Sequence, residues 1–135
     1  MNYLIDTCVV SDFFKKIPSV VENFKKASPK QIHISTITVM EIEYGLHLNA
    51  EREAKIRPLW EQFLKYTQII PFTNSCAVFS ASIRSELKSQ GQLIGPYDIL
   101  IAGSAMANEM VMITSNLKEF RRISELTVED WRQGL

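Results

Sequence analysis

The chain has 135 residues, the size of one domain built on one hydrophobic core. Apolar residues make up 46% and charged residues 22%, and five Gly and five Pro are too few for a collagen-like, mucin-like or linker-rich protein. Fifteen Lys and Arg against fifteen Asp and Glu leave no net charge, which excludes nucleic-acid binding by bulk charge and leaves only a local basic patch. The richest apolar stretch, ILIAGSAMA, is far shorter than the ~18 residues of a membrane span and is broken by Gly103 and Ser104, so no membrane partner is expected. The start, MNYLID, has no basic segment before Asp6 and does not read as a signal peptide, which points to a cytoplasmic protein. Cys8 and Cys76 are expected as reduced thiols, and together with His33 and His47 they lack the spacing of a zinc site.

Short β-rich runs alternate with longer helical patterns along the chain. Tyr3 to Ile5 is an apolar strand that ends at Asp6. Val9 to Lys16 and Pro18 to Lys26 follow as helices; in the second, Val20, Val21, Phe24 and Ala27 recur at helical spacing. Pro18 suits a helix start, where its missing N–H does no harm. Gln31 to Ser35 alternates as a strand, and Ser35 or Thr36 can cap a helix from Ile37 to Leu48. Ala50 to Lys65 is a third long helix, with Ile56, Leu59, Trp60, Phe63 and Leu64 on one face. Gln68 to Phe72 reads as a strand. Ser75 is placed to cap a helix to Ser89 that Gly91 stops. Pro96 opens an apolar helix to Asn108, Val111 to Thr114 is the fourth strand, and Leu117 to Ile123 is a short helical piece before the tail VEDWRQGL. Strands separated by helices imply parallel pairing. The expected fold is a three-layer α/β/α sandwich with a four- to five-stranded, mostly parallel sheet, formed by a single domain over residues 1–135. Ligands in such folds sit beyond the carboxyl ends of the strands.

Three acids stand where apolar residues dominate. Asp6 ends a buried strand, Asp98 lies in IGPYDILIAG at the first turn of an apolar helix, and Glu41 lies in ISTITVMEIEYGL. A buried carboxylate must be paired, protonated or metal-bound. Each acid also has a plain structural reading. Asp6 can cap the next helix, Asp98 is favoured by the helix dipole, and Glu41 can be a solvated helix residue that periodicity does not separate from Glu43. If the three converge, they form an all-oxygen, negatively charged pocket suited to Mg²⁺ or Mn²⁺. An ion held there would activate water and offset phosphoryl charge.

The blocks YLIDTCVVSDF, ISTITVMEIEYGL, IRSELKSQGQLIGPYDILIAGSAMA and TSNLKEFRRI follow one another over nearly the whole chain, and in this order they resemble the PIN-domain ribonucleases. Within that group the chain is similar to the VapC-type toxins of bacterial toxin–antitoxin systems. The resemblance implies a PIN-like fold and a metal-dependent endoribonuclease that hydrolyses RNA phosphodiesters, with structured RNA such as transfer RNA as substrate. It implies Asp6, Glu41 and Asp98 as the metal-binding, catalytic acids. Asn116 stands where many members carry a fourth acid, and Cys8 where the family usually has Asn. Thr7 and Ser115 are candidates to orient the acids from outside the ligand set. The implied partners are RNA, a VapB-like antitoxin and a second copy of the chain in a homodimer, with the antitoxin groove expected over the apolar segments from Ile37 to Phe63.

RNA must be held by positive charge. Lys118, Arg121 and Arg122, close after Asn116, are the first candidates, and Lys15 and Lys16 the second. Arg84 is left open between pairing with Glu86 or Glu109 and reaching RNA. Phe13, Phe14, Tyr44, Trp60 and Phe63 are expected to pack the core or an interface. The alternative function is a weak or inactive PIN-like module that binds RNA or protein, favoured by Asn116. A phosphoacceptor domain is disfavoured, because no aspartate follows QIIPF and Asp12 is six residues beyond Asp6.

Overall fold

The computed structural model describes residues 1–133. Its elements are β1 (Tyr3–Ile5), α1 (Thr7–Phe14), α2 (Pro18–Lys26), β2 (Ile32–Ser35), α3 (Thr36–His47), α4 (Ala50–Lys65), β3 (Gln68–Ile70), α5 (Asn74–Ser89), α6 (Pro96–Ala107), β4 (Val111–Ile113), α7 (Leu117–Phe120) and β5 (Val128–Glu129). The five strands form one sheet in the order β3-β2-β1-β4-β5, parallel at every pairing.

Both faces of this sheet are covered at its centre, so β1 and β4 are continuously apolar rather than alternating. Alternate residues feed two different cores. Leu4 and Met112 join Ile83, Leu87, Ile101, Ala105 and Phe120 on the α5–α6 side. Ile5, Val111 and Ile113 join Val9, Val10, Ile42, Trp60 and Phe63 on the side of α1 to α4. Phe13, Phe14, Phe24, Trp60 and Phe63 form an aromatic cluster there, with ring centroids 4.5 Å apart for Phe13 and Phe24 and 6.0 Å for Trp60 and Phe63. Tyr44 does not join it and is 62% exposed; Leu59, expected on the buried face of its helix, is 43% exposed.

Several boundaries differ from the sequence reading. α1 begins at Thr7 because Asp6 caps it, its Oδ1 accepting the Thr7 N–H at 2.8 Å. α5 is capped by Thr73, not Ser75, with the Cys76 N–H donating to Thr73 Oγ1 at 3.3 Å. β3 stops at Ile70, before Pro71, and α7 is a single turn. The fifth strand comes from the tail. The chain lays down β1, adds β2 and β3 on one side, then returns to add β4 and β5 on the other. β1 and β4 are therefore neighbours at the point where strand order reverses, and a crevice opens beyond their carboxyl ends.

Candidate active site

Beyond the carboxyl ends of β1 and β4 lies a pocket of about 380 Å³ lined by Asp6, Thr7, Cys8, Glu41, Asp98, Ser115 and Asn116. The fold thus gathers all six residues singled out as acids, amide or orienting hydroxyls, from β1–α1, α3, α6 and the β4–α7 turn. Asp6 follows β1 directly, and its N–H donates to the Ile113 carbonyl of β4 at 2.8 Å. Its side chain is 4% exposed. Oδ1 is held by the Thr7 N–H; Oδ2 accepts the Thr114 hydroxyl at 2.8 Å and the Cys8 thiol at 3.4 Å. Burial pushes the Asp6 carboxyl above its ordinary pKa, and these hydrogen bonds pull against that rise.

Glu41 reaches the pocket from α3, where its Oε1 accepts the Thr7 hydroxyl at 2.8 Å. Thr7 Oγ1 also lies 3.1 Å from the fully buried Thr38 Oγ1, which locks the pair to α3. Asp98 is the third residue of α6, after Pro96 and Tyr97. Gly95 caps that helix, and a Cβ there would stand 3.2 Å from Asp98 Oδ2, so glycine leaves room for the carboxylate. Burial first, and then the charges of Asp6, Glu41 and Glu119, push Asp98 up to about 6. The carboxylates therefore act on one another as a single negative cluster. Among the described residues, no Lys or Arg forms an ion pair with Asp6, Glu41 or Asp98.

Two contributors escaped the sequence reading. Thr114 is fully buried and ties Asp6 to the β4–α7 turn, donating to Asp6 and accepting the Asn116 N–H at 3.0 Å. Glu119 acts on Asp98 from α7, one helical turn beyond Asn116. Its spacing from Asn116 was the available signal, since residues three apart on a helix share a face. Cys8 is a hydrogen-bonding neighbour rather than a nucleophile. Its thiol accepts from Ser115 Oγ at 3.2 Å, and burial and the Asp6 charge push it up to about 11.

The structure separates Glu41 from Glu43, which periodicity did not. Glu43 binds Arg57 Nη1 at 2.7 Å and the Trp60 indole N–H at 2.8 Å, pairing α3 with α4 away from the pocket. The basic residues after Asn116 have three different surroundings. Lys118 is exposed, Arg121 shares a cleft with Glu129 and Asp130, and Arg122 Nη1 donates to the Gln92 and Leu93 carbonyls.

An all-carboxylate donor set without a protein cation is the chemistry of a hard divalent ion. Among the described residues no three His, Cys, Asp or Glu side chains form a ready-made ligand cluster.

The PIN domain family model matches residues 3–126. The chain is 34% identical to ribonuclease VapC2 of Rickettsia felis, over 97% of this chain and 98% of that protein. It is 30% identical to the tRNA(fMet)-specific endonuclease VapC of Salmonella typhimurium, again over 97% and 98%. Its fold superposes on the crystal structure of VapBC2 from Rickettsia felis bound to a fragment of promoter DNA, with a TM-score of 0.88, 32% identity and coverage of 97% and 99%. With an all-parallel sheet, a strand-end acid pocket and relatives matched end to end, the chain belongs to the PIN-domain family and, within it, to the VapC ribonucleases of toxin–antitoxin systems.

Proposed function

We propose that this protein is a Mg²⁺- or Mn²⁺-dependent endoribonuclease that acts as the toxin of its toxin–antitoxin pair, cutting structured RNA such as transfer RNA. The observation that carries this reading is the convergence of Asp6, Glu41 and Asp98, far apart in sequence, on one pocket with no protein cation to neutralise them. Asp6, Glu41 and Asp98 would hold the ion, with Asn116 beside them. When bound, the ion supplies charge neutralisation for the phosphodiester and lowers the pKa of water. Thr7 fixes Glu41 through its hydroxyl, and Thr114 with Cys8 fixes Asp6 Oδ2. Ser115 acts on Asp6 only through Cys8. Glu119, on the turn beyond Asn116, adds negative charge that is felt at Asp98.

For the antitoxin, the reading is carried by an apolar cleft that takes in only part of the expected segment. A cleft of about 770 Å³ opens between α1, α2 and α4, walled by Phe13, Phe14, Val21, Phe24, Leu59 and Phe63. Of the segment from Ile37 to Phe63, only the α4 end lines it. We place an amphipathic antitoxin segment there. The homodimer is retained from the family reading. Among the described residues no helix is long and apolar enough to cross a membrane.

The test is cleavage of total cellular RNA by the purified, antitoxin-free protein with Mg²⁺, Mn²⁺ or EDTA, beside Asp98→Asn. Discrete cuts that require both the ion and Asp98 are expected. Absence of cleavage by the folded parent would make the binding-module reading the better one.

A further inference from the structure

A second cleft opens at the same end of the sheet as the acid pocket. Its volume is about 630 Å³, enough for one nucleotide. The two share the first turn of α6: Asp98 lines the acid pocket, while Pro96 and Tyr97 line the cleft. Phe72, just beyond β3, and Leu93 and Ile94, just before α6, also line it. Arg122 Nη1 donates to the Leu93 carbonyl at 3.4 Å.

Two features of the lining point to one occupant. Tyr97 and Leu93, both in its lining, are 49% and 48% exposed, so an aromatic ring and an aliphatic side chain face solvent there. Arg84 is the one charged residue of the lining, and it is exposed. Among the described residues it forms no ion pair, with Glu86, Glu109 or any other acid. Glu109 lines a separate cleft. Arg84 differs from Arg121, whose cleft is also lined by the acids Glu129 and Asp130, and from Arg122, whose guanidinium is engaged by carbonyls. A phosphate chain entering an acidic pocket meets repulsion there and needs a cation next to it. An aromatic ring and a free guanidinium are the pair that holds an unstacked base and its phosphate.

We propose that the Arg84–Tyr97 cleft is the subsite for a single-stranded nucleotide flanking the scissile phosphodiester, with Tyr97 stacking its base and Arg84 binding its phosphate. The assignment rests on the RNA-cleaving reading above. It makes these two residues determinants of how tightly a nucleotide is held next to the cut, whatever its base.

The experiment measures affinity apart from cleavage. Binding of a fluorescently labelled single-stranded RNA to the full chain is followed by anisotropy in EDTA over a range of salt. Arg84→Ala and Tyr97→Ala are each expected to weaken Kd about tenfold. Arg84→Ala should also lower the salt slope by about one, as loss of one phosphate contact requires. Tyr97→Phe, which keeps the ring, should bind as the parent does. Lys30→Ala, which removes an exposed charge next to the opposite end of β2, should stay within about twofold. Melting temperatures check folding, and Arg84→Gln replaces Arg84→Ala if the latter melts early. Parental affinity and slope in the Arg84 and Tyr97 variants would overturn the assignment, as would a parent that does not bind the RNA. A dimer that becomes a monomer in these variants would overturn it too, by making the cleft an interface between copies. Failure of the cleavage reading shows elsewhere, as an Asp98→Asn protein that still cuts with Mg²⁺, and leaves the affinity comparison standing.

Discussion

The Asp6 carboxylate divides its two oxygens between structure and site. Oδ1 caps α1, and Oδ2 takes Thr114 and Cys8 at the edge of the acid pocket. Capping and ligation are alternatives only on paper; a strand that ends in a cap places the same side chain at the crevice. Asp98 has no such anchoring and carries the cost of its neighbours. Its folded-state pKa, raised from 3.8 to about 6, lies above that of the unfolded chain. The folded protein therefore binds the extra proton. This contribution to stability is complete below about pH 4 and is lost as pH rises through about 6. Asp98→Asn removes the repulsion, so in EDTA near pH 8 it should be more stable than the parent by on the order of 1 kcal/mol after solvent screening. The difference should close near pH 4. Calorimetric melting at the two pH values checks this, and equal melting temperatures near pH 8 would contradict the repulsion. Glu41 and Glu43 make a second contrast. Glu41→Gln should abolish ion-dependent cleavage with little change in melting temperature. Glu43→Ala should leave the cut pattern intact but lower stability by about 1–2 kcal/mol, because the indole N–H of the fully buried Trp60 loses its acceptor. Swapped outcomes in paired melting and cleavage assays would reverse the two assignments.

Among the elements, α5 and α6 make the tightest helix pair, and this pair aims Asp98. Gly103 of α6 faces Ser80 of α5, and a Cβ on Gly103 would come 2.0 Å from Ser80 Oγ, 2.9 Å from the Ser80 backbone N and 3.0 Å from the Cys76 carbonyl. The serine can rotate away; the two backbone atoms cannot without separating the helices. Ser80 Oγ already donates to the Cys76 carbonyl at 2.8 Å, and that bond would be lost as well. Gly103→Ala should therefore cost about 1–3 kcal/mol, despite the better helix propensity of alanine. Urea unfolding measures it, and a neutral or stabilising result would show that the pair has slack. The apolar run ILIAGSAMA announced a buried helix. It did not reveal that Gly103 serves contact rather than flexibility, because close approach is a relation between two helices.

Across the whole molecule, the tail closes the fold. β5 adds the fifth strand, and Arg132 beyond it forms a two-bond fork with Asp12 of α1, at 2.7 and 2.8 Å. The Asp12 side chain is 4% exposed while Arg132 is half exposed. Removing the arginine would strand a buried carboxylate. Arg132→Ala is expected to loosen α1 and β5 together, seen as faster amide exchange in Thr7–Phe14 and Val128–Glu129. Unchanged protection in α1 would show that the tail is dispensable. The same reach of contact explains what could and could not be read in advance. Periodicity and caps act within a few residues, so element type, the parallel α/β architecture, the Ser35 cap and the Pro18 start were legible in the chain. So were Asp6 and Asp98, because a carboxylate in an apolar run is conspicuous without coordinates. Glu41 was set apart from Glu43, Arg84 from Arg121 and Arg122, and Glu119 brought to Asp98, only when segments distant in sequence were packed together. Charge and hydrogen bonding act through space, and the spatial neighbours of these residues are decided by how the helices close over the sheet.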